Sequence, residues 1–416
     1  MKILIISVNN EKNNYGTVLP FGAYCVYANT KKAGLDVDFL DLLDCPNPII
    51  AIKDTIKHSK PDYISVSIRN IDNQDMEKPI FYLTNIRDYI NSIKETTSSV
   101  IILGGAGFSI FPKECLDYLD INLGIVGEGE KTFPALINNL SKSRLDIRKK
   151  HIIYSSFKEN IDTYILPDSK LINSKNNNNI ILPIQTRKGC PLNCIYCSTH
   201  LIEGTTIRSR NINTFVEWLS KWVKEGYKHF YFVDNTFNIP TDYTKKLLNK
   251  IIESKLPIRF NCMLYPKFVD SEMILLLKKA GCYQVSLGFE SGSNNILKIL
   301  NKKYTKEEVL KISEQLNKNK IEQLGFLLLG GPNENLETLV ESLNFIKNLP
   351  LDMLKITKGI RIYPNTKLAK IAIKENKISK DTNLLYPTFY CSSEINNPNV
   401  NKILSTFINN VNFKVL

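Results

Sequence analysis

"RKGCPLNCIYC", Arg187–Cys197, places three cysteines at C-x-x-x-C-x-x-C spacing. Three thiolates suit neither a disulfide, which takes two, nor a closed structural zinc site, which takes four. Cysteine thiolates select iron–sulfur clusters or zinc. On a four-iron cluster, three of them leave one iron open to a ligand from outside, and an open position marks a working metal site. The other reading of the stretch is a zinc knuckle completed by a remote ligand such as His200.

The cysteines follow an apolar run, "LPIQTRKG", that opens a series of strands and helices. The later strands read "HFYFVDN", "IRFNCML", "QVSLGF", "LGFLLLGG" and "LKITKGIRIY", with helices such as "TFVEWLSKWVKEG" and "SEMILLLKKAG" between them. Six such units are too few for a closed eight-fold barrel, so the pattern predicts a partial (β/α)6 TIM-type barrel with an open side. The cysteines fall at the carboxyl end of its first strand, the edge where barrels place their chemistry. Upstream, "KILIISV", "DVDFLDL", "YISVSI", "VIILGG" and "LGIVG" alternate with amphipathic stretches, which predicts an α/β domain with a doubly wound, flavodoxin-like (Rossmann-type) parallel sheet. Such sheets bind ligands at the carboxyl ends of their strands. Here those ends carry "SIRNIDN", "GGAGFSIFP" and "VGEGE"; each alone reads as turn chemistry, and three in succession read as a site. The expected organisation is a first domain over 1–145, a linker over 146–180 ending in "NSKNNNN", the barrel over 181–370 and a short tail over 371–416.

Composition bounds the remaining possibilities. The chain has 416 residues, an ordinary apolar share of 43% and nine cysteines, an odd number that argues against a disulfide framework. The six cysteines outside the cluster read as small core residues. No run approaches the roughly 18 apolar residues of a membrane span, and "MKILIISVNN" reads as a first core strand and not as a signal peptide, so the expected location is the cytoplasm. The net charge of +13 is spread over single lysines among asparagines, which makes nucleic acid an unfavoured partner and membrane no partner.

"CPLNCIYC", with its aromatic residue before the last cysteine, resembles the signature of the radical S-adenosylmethionine (SAM) superfamily, and the sheet ahead of the barrel is similar to the cobalamin-binding domain of that superfamily's cobalamin-dependent class. The resemblance implies a [4Fe-4S] cluster on Cys190, Cys194 and Cys197, SAM on the open iron, and cobalamin in the first domain. By strand order it implies SAM contacts at Asp234 and Asn235, where "VDN" departs from the commoner Gly-Gly-Glu, and at Glu290, Ser291, Gly330 and Arg361. For Glu290, helix-start capping stays open as the alternative. It implies cobalamin contacts at Ser67, Arg69, Asn70, Asp72, Gly104, Gly105, Gly107, Phe108, Ser109, Gly127, Glu128, Gly129 and Glu130; an Arg69–Asp72 salt bridge is the structural alternative for that pair. Arg208 and Arg210 read either as a solvated turn or as carboxylate or phosphate ligands. No Asp-x-His-x-x-Gly stretch offers the cobalt a histidine. The implied activity is methylation of an unactivated carbon of a small-molecule or peptide substrate through a 5′-deoxyadenosyl radical and methylcobalamin, with a flavodoxin or ferredoxin as external electron donor. Two alternatives accompany it: a non-methylating cyclisation or ring rearrangement, and a methylthiotransferase-like enzyme whose first domain no longer binds cobalamin.

Overall fold

The computed structural model describes residues 1–8, 19–142, 145–169 and 181–416. The first domain is a six-stranded parallel sheet built from β1 (Lys2–Ser7), β2 (Asp36–Asp41), β3 (Tyr63–Ser67), β4 (Val100–Gly104), β5 (Leu123–Val126) and β6 (His151–Tyr154), in the order β2-β1-β3-β4-β5-β6. Along β1 the side chains alternate between two cores: Leu4 and Ile6 enter one, Ile3 and Ile5 the other. Apolar side chains on both faces are what a parallel sheet covered by helices requires. The strand order reverses between β1 and β3, and such a switch point opens a crevice at the carboxyl ends of the strands.

The sheet continues past residue 145. The four residues of β6 pair with β5 from Leu123↔His151 to Val126↔Tyr154. The stretch after β6 is knitted to both domains. The Asn29 side chain bonds both the amide (2.9 Å) and the carbonyl (2.9 Å) of Ile165, and Arg210 donates to the carbonyls of Ile161 (2.8 Å) and Tyr164 (3.2 Å). Arg210 is therefore buried scaffolding, neither a solvated turn nor an open ligand. The asparagine run expected to end the linker lies outside the described residues.

The second domain is an open, seven-stranded, all-parallel sheet. Its order from one edge is Leu182–Ile184, His229–Phe232, Arg259–Leu264, Cys282–Glu290, Glu322–Leu329, Met353–Lys358 and finally Lys414–Val415. Six strands belong to the expected partial barrel, and the tail adds the seventh at the free edge after its helix Pro398–Asn409. One face, with Phe230, Phe232, Phe260, Cys262, Leu264, Leu287 and Phe289, packs against the helices. The alternate positions Tyr231, Asn261 and Met263 are half-buried on the other face. The strand read as continuous through Tyr363 ends at Lys358, because Gly359 turns the chain at φ +79° into a two-residue ribbon, Ile360–Arg361 against Phe389–Tyr390. Among the described residues no helix is long and apolar enough to cross a membrane.

Phe232 tests this packing. Its ring is fully buried and lies 4.8 Å from that of Phe237 and 4.9 Å from that of Phe260. Phe232→Ala should cost about 3–5 kcal/mol, measured as a lowered urea midpoint of the barrel transition.

Candidate functional site

The cysteine stretch begins where the first barrel strand ends. Gly189 has φ +89°, and a Cβ there would lie 2.1 Å from the carbonyl oxygen of Thr206. Only glycine fits that turn, which swings the chain out of the strand and into the loop. Backbone bonds then fix the loop: Cys190 donates to Gly204 (3.2 Å), Ile195 donates to Leu300 (3.3 Å) and accepts from Leu368 (2.9 Å), and Asn301 donates to the Asn193 carbonyl. Ile195 seats in a small apolar core with Ile296, Leu300 and Leu368. Burial pushes the Cys190 thiol up to about 11, and its two sister cysteines push the same way; a cluster binding here displaces that proton. His200 is tied to the loop itself, its ring nitrogen 2.5 Å from the Leu192 carbonyl, which places it as a brace and not as a fourth ligand. Among the described residues no three His, Cys, Asp or Glu side chains converge on a single ion. A cluster asks for something different, one thiolate per iron.

Around the loop, Glu290 stands at φ +64° and accepts from the Tyr196 hydroxyl (2.9 Å) and the Lys302 ammonium (3.2 Å). Lys302 also lies 5.2 Å from the Tyr196 ring. Burial pulls its pKa down, but the carboxylate of Glu290 and the other anionic partners more than offset that and leave it well above the ordinary value. On the other side, Glu203 accepts from Gln185 Nε2 (2.8 Å), the Gly189 amide (3.1 Å) and Asn235 Nδ2 (2.6 Å). Burial pushes its carboxyl pKa up.

A cavity of about 440 Å³ lies between the two domains. From the first domain, the strand ends Ser7, Ser67, Gly104 and Gly127 line it, together with Arg69, Gly105 and Glu128–Glu130. From the barrel come Gln185, Lys188, Thr199, Ile202, Glu203 and Asn235. Two ion pairs join the domains beside it. Arg208 forks onto Glu128, which also accepts from the Tyr164 hydroxyl (3.0 Å), and Lys188 meets Glu130 at 2.5 Å. Burial raises the Glu130 carboxyl, but the Lys188 charge and hydrogen bond more than offset it, so the net pKa falls; Lys188 is raised in turn.

The structure divides the expected site residues into two groups. Asn235, Ser67, Arg69, Gly104, Gly105, Gly127, Glu128, Gly129 and Glu130 face the cavity, though Glu128 and Glu130 are already engaged by barrel cations. Others are turned into the protein. Asp234 is fully buried and accepts from Thr186 N (2.8 Å), Thr186 Oγ1 (2.7 Å) and Arg187 N (3.0 Å), so it clamps the first strand and offers SAM nothing. Arg361 does not reach toward a carboxylate of SAM; its Nε bonds Asp72 at 2.8 Å and its other nitrogens bond the carbonyls of Ile362 and Leu384. Asp72 therefore pairs with Arg361 across the domains and not with Arg69. Ser291 is buried against Ser342 (3.1 Å). Gly330, at φ +91°, donates to Glu334 (2.6 Å), and a Cβ there would sit 2.6 Å from Cys391 Sγ. Phe108 fills the space under Gly124, Ser109 accepts from the Gly127 amide (2.9 Å), Gly107 packs on Arg69 backbone, and Asn70 is half-buried beside it. Arg208 is an interdomain anchor, neither solvated nor free. Sequence reading gave no site role to Gln185, Lys188, Glu203 and Lys302, and read Tyr196 only as part of the cysteine signature; of these, Lys188 and Tyr196 alone lie within the quoted cysteine stretch.

Comparison with known proteins agrees with this geometry. Residues 184–346 match the profile of the radical SAM superfamily, and residues 13–137 match that of the B12 binding domain. An uncharacterized methyltransferase of Pyrococcus horikoshii is 26% identical over 90% of this chain and 84% of its own length. The chain shares its fold with TsrM of Kitasatospora setae, a radical SAM methyltransferase solved with tryptophan and a SAM analogue and also with cobalamin and a [4Fe-4S] cluster; the TM-score is 0.80 at 20% identity, over 90% of this chain and 76% of the other. OxsB, a cobalamin-dependent SAM radical enzyme, aligns at a TM-score of 0.77 and 16% identity, over 98% of this chain and 66% of the other.

The Lys188–Glu130 pair gives this site a pH window. The Glu130 pKa is depressed, so its contribution is complete above the ordinary 4.5 and is lost as pH falls through the lower folded value. The Lys188 pKa is raised, so its contribution is complete below the ordinary 10.5 and is lost as pH rises through the higher folded value. Glu130→Gln should destabilise the domain contact by about 3–5 kcal/mol, because it leaves a buried ammonium without its anion. Urea unfolding across the pH range should show that loss near neutrality and its convergence with the wild type in acid.

Proposed function

We propose that this chain, which belongs to the radical SAM superfamily and carries a B12-binding domain ahead of its barrel, is a cobalamin-dependent methyltransferase acting on an unactivated carbon of a small-molecule or peptide substrate. The observation that supports it is a shared cavity: the glycine-rich strand ends of the first domain and the residues following the cysteine loop line the same space. A corrin seated on the sheet and SAM seated on a cluster would then face one another.

The donor set fits a cluster, with three cysteines on a braced loop. The cavity fits a flat ring, because its sheet-side wall is made of strand ends with small or no side chains at Ser67, Gly104, Gly105 and Gly127. When bound, these groups supply the electron, the hydrogen-abstracting species and the methyl group. The chain supplies position and dryness. Cys190, Cys194 and Cys197 would hold the cluster, and the Gly189 turn aims them. Asn235, whose side-chain amide donates to Glu203 (2.6 Å), lines the cavity and would be a hydrogen-bonding contact for SAM. The Glu290–Lys302–Tyr196 group fixes the opposite side of the loop. The Arg208–Glu128 and Lys188–Glu130 pairs hold the first domain against the barrel beside the cavity.

Anaerobic reconstitution should load about four irons per chain, and the Cys190, Cys194 and Cys197→Ala triple variant should lose them. Growth with hydroxocobalamin should yield a corrin absorbance that co-purifies with the protein. Methyl-labelled SAM should pass its label to product; label that never leaves SAM would remove the methyltransferase reading and leave a rearrangement.

A further inference from the structure

We infer that Glu203, which lies outside both the cysteine motif and the strand ends, binds the amino group of SAM. The inference rests on the reading above, since it takes SAM to occupy the cavity. Among the described residues three carboxylates line that cavity: Glu128, Glu130 and Glu203. The first two each meet a barrel cation. Glu203 forms no ion pair among the described residues. Its partners are three neutral donors, Gln185 on Oε1 and both Gly189 and Asn235 on Oε2. A carboxylate has about four acceptor positions, so Oε1 keeps one. Lys188 acts on Glu203 through space, but its ammonium is committed to Glu130. Burial therefore prevails and raises the Glu203 carboxyl. An acceptor in that state gains most from a donor that carries positive charge.

SAM brings two groups that carry positive charge in water, a sulfonium and an amino group. Only the amino group has N–H bonds to donate. A corrin offers amides, which are neutral and bind a carboxylate less strongly. The neighbouring strand end supplies no competing charge. Asp234 is committed to the amides of Thr186 and Arg187, and Asn235 brings an amide that itself donates to Glu203. Glu203 is also held in place from both sides. Arg208 donates to its backbone carbonyl (3.0 Å). The next residue, Gly204 at φ +79°, accepts from the Cys190 amide (3.2 Å). The Glu203 carboxylate itself holds the amide of Gly189 (3.1 Å), where the chain turns out into the cysteine loop. One side chain thus sets the amino group of SAM in register with the start of that loop.

The test uses the reconstituted full chain, anaerobic equilibrium dialysis and two probes, SAM and its desamino analogue. The ratio of their dissociation constants, read per iron-loaded chain, isolates the amino group. Glu203→Gln keeps the shape and removes the charge. It should weaken SAM binding at least ~10-fold and change binding of the desamino analogue less than ~3-fold. Glu203→Asp draws the carboxylate back by one methylene and should show the same selectivity to a smaller degree; it decides the matter if the Gln variant loads no iron. Variants that weaken both probes alike, or neither, would overturn the assignment and leave Glu203 a brace of the Gly189 turn. A Gln variant that keeps its SAM preference but loses the corrin absorbance would overturn it too, and would reassign the carboxylate to a corrin amide. A wild type that binds no SAM would instead overturn the reading on which the inference rests.

Discussion

Two carboxylates at the start of one helix decide how the halves of this protein meet. Glu128 is the N-cap of the helix Gly129–Leu140 and Glu130 lies in its first turn, where a helix favours negative charge. Each takes a cation from the barrel, Arg208 and Lys188 respectively. Burying four charges is expensive, and only complete pairing recovers the cost. A docking in which either pair missed would strand a charge out of water, so the electrostatics select one relative placement of sheet and barrel. The cavity is what that placement leaves open between them.

Lys188 belongs to the same short run as Gly189 and Cys190. The residue that locks the domains therefore immediately precedes the turn that launches the cysteine loop. Arg187, one position earlier, is buried through the Thr186–Asp234 clamp and donates to Ile239 (2.8 Å) and Thr244 (2.9 Å). Three successive residues thus serve strand anchoring, domain anchoring and loop geometry.

Much of this was legible in the sequence. The inner strands of the first sheet announce themselves because they are buried on two faces and read as continuous apolar runs, and the barrel strands do so by an apolar residue at every second position on the helix side. The cysteine spacing is equally plain, since ligand geometry constrains it. β6 escaped because "HIIY" is three half-buried residues and one exposed tyrosine at the sheet edge, with little apolar burial to signal them. The site residues show a different limit. Strand order places Asp234, Ser291 and Arg361 at the carboxyl edge of the barrel, but position along a strand does not say which way a side chain turns. Asp234 turns to backbone amides and Arg361 to Asp72 across the domains. Glu203 and Lys302 carry no motif at all; they matter only because folding brings them against Asn235 and Glu290.

The loop that holds the cysteines is tied by backbone hydrogen bonds at Cys190 and Ile195 and by the Asn301 side chain at Asn193, and it is seated by one isoleucine. Its shape is therefore written by the barrel and not by the metal. In many small metal sites, ordering the ligands consumes part of the binding free energy. A cluster bound on this loop would find that entropic cost already met by folding, so iron and sulfide could be added to the folded chain, and a lost cluster rebuilt there would be a matter of supply and not of refolding.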